Sequence, residues 1–403
     1  MNRMDGLMYT KGQKKNNIPE VLHTSLQTRQ EIQREHKSFL NSRYQRYPDI
    51  ARLIVKRSFG LCGIPLEIYW DSRDEERSQD VLRALRQERF GITDEEKCCV
   101  FCTAKYAGNK IMDYMPKYLS WDKKILSFSM LDLSQERMKT CVEEIFAFNP
   151  AWMRLVPSVA VMLAETMASN ELLPPPALRY IELSGEMLDE KTERMIQEAF
   201  HVQTSNVYAT KEMGPIAVSC GEGNLHIFPE NVEIQVMKDG KPVLDEEGEI
   251  YVTSLQNKAM PLVRMKTGDR GVLLSASCAC GQKSLALQLT GSRACSFIIT
   301  ASGRKISAQV LRSMAEYANE EISRCLAGIQ FRQTANDSMD VILGVKPAFS
   351  GWGEEAARVL RSQIQDQELK QMRWNFIFVD PQTSVESEIE KEPFFTLCEG
   401  VEL

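Results

Sequence analysis

Histidine is scarce in this chain, with four in 403 residues. A serine or cysteine nucleophile needs a base beside it, usually an imidazole. His23, His36 and His201 stand in polar or helix-end contexts, and none pairs convincingly with Ser58, Cys62 or Ser184. Covalent hydrolase chemistry is therefore set aside. A basic excess is also missing. Lys and Arg total 49 against 55 Asp and Glu, a net charge of −6. Nothing is left over to neutralise a phosphate backbone, so nucleic acid is not expected as a partner. No apolar run approaches the ~20 residues that span a bilayer. The first 17 residues are polar, carry Lys11, Lys14 and Lys15, and lack the apolar centre of a secretory leader. A cytoplasmic protein without a membrane partner is expected. Repeats and low-complexity stretches are absent too.

What is present is ordinary for a globular protein: 43% apolar and 26% charged residues, in a chain long enough for two or three domains with cores. Cysteine is plentiful, at 11. The number is odd, and Cys98, Cys99, Cys102, Cys141 and Cys325 sit in apolar surroundings, which suits buried reduced thiols better than disulfides.

The hydrophobic pattern divides the chain. Residues 1–50 form a polar arm, with a Gln-, Arg- and Glu-rich helix over 24–44 expected to be exposed or loosely packed. Strand-like apolar runs at 125–131, 152–156, 178–183 and 202–207 then alternate with helices. Ser134 caps one of these, Pro157 opens another, and a third covers 189–200. Such alternation predicts a mostly parallel sheet. After His226 the pattern becomes β-rich, with strands at 232–236 and 249–254 flanking an Asp239-Gly240 hairpin signal. Beyond Arg293 the order is helix, strand, strand, helix, strand, a small α+β unit.

Two segments carry the main chemical signal. In Asn206-Val207-Tyr208-Ala209-Thr210-Lys211-Glu212-Met213-Gly214, Glu212 is a lone carboxylate in a small-residue turn, suited to a magnesium ion on phosphate oxygens. Tyr208 offers a flat face to a purine. In Arg264-Met265-Lys266-Thr267-Gly268-Asp269, Asp269 is an acceptor for paired ribose hydroxyls. Each alone also fits an ordinary turn. Elsewhere, Cys278-Ala279-Cys280-Gly281 needs two further ligands before it makes a zinc site. Cys220 and His226, across a Gly-rich loop, are candidates, with Cys295 a rival. The alternative is two unrelated reduced turns and a surface histidine.

In their order and separation, the two carboxylate segments resemble the adenylate-forming enzymes, specifically the phenylacetate–CoA ligase branch, and the resemblance covers roughly residues 50–395. In that family a Tyr-Gly-x-Thr/Ser-Glu segment stacks adenine and binds magnesium, and a later Asp holds the ribose. Tyr208, Thr210 and Glu212 match the first, with Ala209 where Gly is usual; Thr267, Gly268 and Asp269 match the second. Ser184-Gly185-Glu186 is similar to the adenine-contacting turn. Ser292-Arg293 sits where the family has Gly-Arg and its hinge. Ser58-Phe59-Gly60-Leu61-Cys62-Gly63-Ile64-Pro65 lies where the family has its phosphate loop, whose backbone N–H groups, hydroxyls and lysine bind phosphate. Ser58, Gly60, Gly63 and Pro65 keep the frame, but Leu61, Cys62 and Ile64 replace the threonines and lysine. Restoring those donors is expected to help ATP use; the plain alternative is a turn between strands. Lys391 stands near the family's Gly-Lys pair, where a cation stabilises charge on the reacting carboxylate and α-phosphate. A tail lysine in local ion pairs is its alternative. Some branch members carry a structural zinc at places corresponding to Cys220, His226, Cys278 and Cys280.

The resemblance implies an α/β fold. It has a large N-terminal domain, 1–292, of mostly parallel sheets, with a helical arm over 1–50 and a β-rich, zinc-bearing subdomain over 220–290. A hinge joins this to a small mobile α+β C-terminal domain, 293–403. The implied activity is ATP- and Mg2+-dependent adenylation of a carboxylic acid, aromatic by the habit of the branch, with Phe101, Tyr106 and Tyr114 as pocket candidates. Acyl transfer to CoA follows, with an amine or a carrier-protein thiol as other acceptors; a homodimer is compatible. Glu212 and Lys391 would be catalytic. Ser58, Gly60, Gly63, Ser184, Gly185, Glu186, Tyr208, Ala209, Thr210, Asp269 and Arg293 would bind nucleotide. A descendant that binds nucleotide or acyl ligand without turnover is the second expectation, supported by the altered loop.

Overall fold

The structure, a computed structural model, describes residues 26–60, 63–103, 106–107, 110–111, 117–290, 297–379, 394–398 and 401, with side chains between 104 and 116 outside that set. Leu61, Cys62, Tyr114, Ser292, Arg293, Cys295 and Lys391, and the side chain of Tyr106, thus lie outside the described residues.

One 13-stranded sheet runs through the larger part of the chain. Its centre is parallel: Ile125–Ser129, Cys98–Cys102, Trp152–Leu155, Tyr180–Ser184 and Gln203–Thr210, side by side in that order. The strands Cys98–Cys102, Ile125–Ser129 and Tyr180–Ser184 are largely apolar and mostly buried, as a sheet covered on both faces requires, whereas Gln203–Thr210 is more polar. The helices between them begin where the sequence placed their starts. Ser134 and Asp189 accept from backbone N–H groups at the starts of Gln135–Phe148 and Glu190–Phe200, and Pro157 opens Pro157–Ser169. From Gly214 onward every further neighbour in this sheet is antiparallel. The β-rich region therefore extends the same sheet. Its Asp239-Gly240 turn joins Val232–Lys238 to Lys241–Val243 with both turn residues at positive φ.

After a short hairpin, Phe297–Ile299 with Lys305–Ser307, the chain builds a four-stranded sheet with the helices Gln309–Glu321 and Gly353–Ser362. Its buried side chains, including Val310, Leu311, Ile329, Phe331 and Phe394, join one continuous cluster with Phe59, Phe128, Leu155 and Val159 of the larger part. Among the described residues, no helix is long and apolar enough to cross a membrane.

The arm departs from expectation. Its helix is only Arg29–Glu35, and it is not loose: Ile32 is fully buried against the cluster that holds Ile68, Trp70 and Met213. Backbone bonds on either side of Gln27 tie the preceding residues to the strand Met265–Leu274. One apolar residue anchors an otherwise polar segment.

Candidate active site

Ligand sites in α/β sheets gather at the carboxyl ends of parallel strands. Two of the expected segments lie there as neighbours. Val207 pairs with Ser184, so the turn after Tyr180–Ser184 stands beside the hairpin that follows Gln203–Thr210. That hairpin returns at Gly214, with Glu212 at its tip. The Met213 N–H donates to Thr210 Oγ1 at 3.1 Å, and Trp70 Nε1 donates to the Lys211 carbonyl at 3.1 Å from below.

The second segment is aimed by a bulge. Tyr251 pairs with Lys266 and Glu249 with Arg270, so Thr267, Gly268 and Asp269 together oppose only Ile250. Thr267 Oγ1 donates to the Ile250 carbonyl at 3.0 Å and accepts the Asp269 N–H at 3.1 Å. Asp269 then meets the first segment: Tyr208 Oη donates to its Oδ2 at 2.7 Å, with both residues buried. The two motifs, 61 residues apart in sequence, are thus joined by a charge-assisted hydrogen bond. The Tyr208 ring itself packs with Met213 and Ile216 in the core.

In the adjacent turn, Gly185 takes a φ of +88°. Glu186 accepts from the N–H and hydroxyl of Ser158, both at 2.8 Å, and from Gln309 Nε2 at 2.9 Å. Burial pushes its carboxyl above the usual range, against those hydrogen bonds. Ala209 is half-buried on its strand.

The loop after Ser58 is a packing element as well as a turn. Ile64 is fully buried in a cluster with Ile342 and Val379, and Phe59 lies near Phe394. The Gly63 carbonyl accepts from the Ile329 N–H at 2.9 Å, and the Gly60 carbonyl from Arg312 Nη1 at 2.7 Å. Gly63 is required: at φ +75°, a Cβ there would stand 1.7 Å from the Ile329 carbonyl oxygen. The isoleucine where the family has lysine thus has a physical reason. Ile64→Lys is expected to bury an unpaired ammonium and destabilise the fold by roughly 3–5 kcal/mol, read by urea unfolding.

Glu212 has the most consequential surroundings. Its Oε1 accepts from Arg29 Nη1 at 2.5 Å and from Ser58 Oγ at 2.7 Å. Burial alone would raise its carboxyl, but the Arg29 charge and these hydrogen bonds outweigh it and hold it below the ordinary carboxylate range. Sequence reasoning missed Arg29, 183 residues away. One signal was available: Thr28 and Glu31 form a capping box, marking a helix start one residue before it. The helix Gln309–Glu321 was missed as a site element too. Its Gln309, Arg312 and Glu316 reach Glu186, Gly60 and Lys211 respectively, the last as an ion pair at 2.8 Å. Their spacing of three and four residues puts all three on one face. Phe101 packs at a tilt against Phe128 within the core, at 5.1 Å between ring centres.

A second constellation lies in the antiparallel part of the sheet. Cys220, His226, Cys278 and Cys280 bring their ligand atoms within 4.8 Å of one another. Cys220 follows the strand Gly214–Ser219 in a tight turn closed at Gly223, and His226 is fixed in Leu225–Ile227 between two neighbouring strands. Cys278 and Cys280 come from the loop before Ala286–Leu289. The Cys220–Cys278 sulfur separation of 3.7 Å is far beyond a disulfide and close to the edge of about 3.8 Å in a tetrahedral Zn–S site. His226 Nδ1 faces the Ser284 carbonyl at 3.2 Å, which fits Nδ1–H as donor and leaves Nε2 toward Cys280 Sγ at 3.1 Å. Hydrogen bonds from Asn224, the Cys280 backbone and the His226 ring lower the Cys278 thiol to about 6, favouring a thiolate. The donor set fits a closed, structural zinc.

Comparison with known proteins agrees with this architecture. No protein-family model matches the chain. Phenylacetate-coenzyme A ligase of Thermus thermophilus is 30% identical over 146 residues, 34% of this chain and 32% of that protein, so the match spans about a third of the relative's length. The structure of 2-hydroxyisobutyryl-CoA ligase with 2-HIB-AMP and CoA, in the thioesterification state, overlays with a TM-score of 0.55 at 16% identity, covering 94% of this chain and 80% of that one. The same ligase with R3-HIB-AMP in the postadenylation state gives 0.51 at 16% identity, covering 94% and 79%. At such identities these overlays speak of fold alone. The chain thus shares the fold of 2-hydroxyisobutyryl-CoA ligase over nearly its whole length, and over about a third of its sequence it is similar to a phenylacetate-coenzyme A ligase.

Proposed function

We propose that the chain is an ATP-dependent acyl-activating enzyme, an acid–thiol ligase. A carboxylate oxygen attacks the α-phosphorus of ATP in line, pyrophosphate leaves, and an acyl-AMP forms. A thiol then attacks the acyl carbonyl and AMP leaves. The ligase with the matching fold holds an acyl-AMP and CoA, which supports CoA as the acceptor; an amine or a carrier-protein thiol is chemically equivalent. The acid proposed is aromatic, as in phenylacetate activation. The work of the first step is positioning and charge neutralisation. Asp269, oriented by Tyr208, accepts the ribose hydroxyls. Glu212 is the carboxylate that would hold magnesium, which supplies charge neutralisation on the phosphates when bound. Arg293 and Lys391 are assigned to the ribose–phosphate region and the developing charge. Cys220, His226, Cys278 and Cys280 would hold zinc and clamp two loops.

The observation that carries this reading is the 2.7 Å bond between Tyr208 and Asp269, which unites the two motif segments at the carboxyl end of the parallel strands. The test is carboxylate-dependent release of pyrophosphate across an acid library, with and without CoA. Asp269→Ala is expected to weaken ATP binding by roughly one to two powers of ten, the ~1.5–3 kcal/mol of a charged acceptor lost. Tyr208→Phe, which removes only the orienting hydroxyl, is expected to cost less. No pyrophosphate release with any acid, and ATP affinity indifferent to Asp269, would sink the reading.

One observation favours a second reading, a descendant that binds nucleotide or acyl ligand without turnover: Glu212 is already paired with an arginine of its own chain.

A further inference from the structure

An anion cradle turns backbone N–H groups inward. Among its described residues, the Ser58–Ile64 loop turns carbonyls to a cation instead. Arg29 Nη2 donates to the Ser58 carbonyl at 2.7 Å and to Ser58 Oγ at 2.6 Å, and Arg29 Nε donates to the Ile64 carbonyl at 2.7 Å. The guanidinium lies flat on Gly60: a Cβ there, at φ +61°, would stand 2.8 Å from Arg29 Cζ. The fourth bond runs to Glu212 Oε1 at 2.5 Å. A guanidinium has five N–H donors; three bonds go to the loop and one to Glu212. The arm helix delivers this side chain and is held by Ile32 in the core and by Gln33 Nε2, which donates to the Pro65 carbonyl at 2.7 Å.

Glu212 Oε1 is thereby saturated, since Ser58 Oγ also donates to it at 2.7 Å. A magnesium ion binds a carboxylate oxygen at about 2.0–2.1 Å. On Oε1 it would need a lone pair now taken by Arg29 or Ser58. Anywhere on this carboxylate it would stand next to a buried guanidinium charge, with little water to screen the repulsion. The metal and the arginine compete for one anion.

We infer that Arg29 and a divalent cation are alternatives at Glu212. The arm helix is an internal plug: its guanidinium neutralises the carboxylate, fills the loop, and keeps metal and triphosphate out until the helix leaves. The metal part stands on the geometry alone, whereas the triphosphate part rests on the nucleotide reading above.

Manganese, titrated alone into zinc-loaded protein and followed by electron paramagnetic resonance, tests the metal part. Wild type is expected to show no site that depends on Glu212. Arg29→Gln, which removes the charge, is expected to gain one site of at least tenfold higher affinity, lost again with Glu212→Gln. Arg29→Lys keeps a positive charge and is expected to remain closed. A wild-type manganese site that disappears in Glu212→Gln overturns the inference, and so does a folded Arg29→Gln that gains nothing. If Arg29→Gln does not fold, wild type against Glu212→Gln still decides. Calorimetry adds the nucleotide arm. Arg29→Gln is expected to bind Mg·ATP at least tenfold more tightly than wild type, with adenosine affinity unchanged. If neither protein binds adenosine while manganese behaves as stated, the nucleotide reading fails and the plug remains.

Discussion

Cys278→Ser is expected to release the metal from the Cys220–His226–Cys278–Cys280 cluster, taking zinc from about one per chain to near zero by elemental analysis. The geometry makes the expected loss large. Three sulfurs and an imidazole nitrogen within 4.8 Å of one another are a costly arrangement without an ion, because thiolates so close repel. Structural zinc contributes roughly 10–16 kcal/mol of apparent binding energy in small domains. Here most of that will not appear as global stability, since Leu225–Ile227 is paired on both sides by strands that need no metal. The effect should be local: the turn at 220–224 and the loop at 278–284 lose their clamp. A fall in melting temperature of roughly 5 °C or more is expected, a few kcal/mol for a protein of this size, with faster proteolysis in those two loops. Protein that purifies without zinc, and melts unchanged with serine at 278, would leave the four side chains as unrelated neighbours.

What the sequence made legible was local. Ser134 and Asp189 mark helix starts through bonds made within a few residues, and Pro157 through its fixed φ. The Asp239-Gly240 turn is read from two residues that tolerate positive φ. The parallel core follows from apolar runs spaced by helices. The clustering of Cys220, His226, Cys278 and Cys280 was legible because metal chemistry restricts residue types, even across 58 residues from Cys220 to Cys278. What was not legible is what each carboxylate faces. Nothing in Thr210-Lys211-Glu212 says that its counter-charge comes from Arg29. Nor does Ile64 announce that it is buried by Ile342, a partner supplied by the small sheet. The arm was misjudged because composition averages over a segment, whereas one isoleucine and one arginine decide its fate. The likeness to a known loop pointed the same way: it directs attention to missing phosphate donors, while the physical reason for the change is packing against another part of the chain.

The second large effect follows from that pairing. A reading of the sequence alone expects a change at Glu212 to abolish adenylation and leave the fold intact, as if the residue stood in an open turn. In the structure it is half of a buried ion pair, with side chains only 10% (Arg29) and 7% (Glu212) exposed. Glu212→Ala strands the guanidinium among carbonyls with no anion, and removing one partner of such a pair costs about 3–5 kcal/mol. Glu212→Gln should cost less, since an amide oxygen still accepts from Arg29 and Ser58 Oγ. Arg29→Ala with Glu212→Ala should cost less than the two single changes added together, because no uncompensated charge remains. The measurement is urea unfolding of the four proteins, with the shift in midpoint read at unchanged slope. Pyrophosphate release would be lost in both Glu212 variants if the carboxylate serves magnesium, so activity alone cannot separate chemistry from folding, and the stability cycle can. A Glu212→Ala protein within ~0.5 kcal/mol of wild type, the range of ordinary surface changes, would mean that Arg29 contributes nothing through this contact. The carboxylate would then be free for a metal, and the arm helix would be no barrier to it.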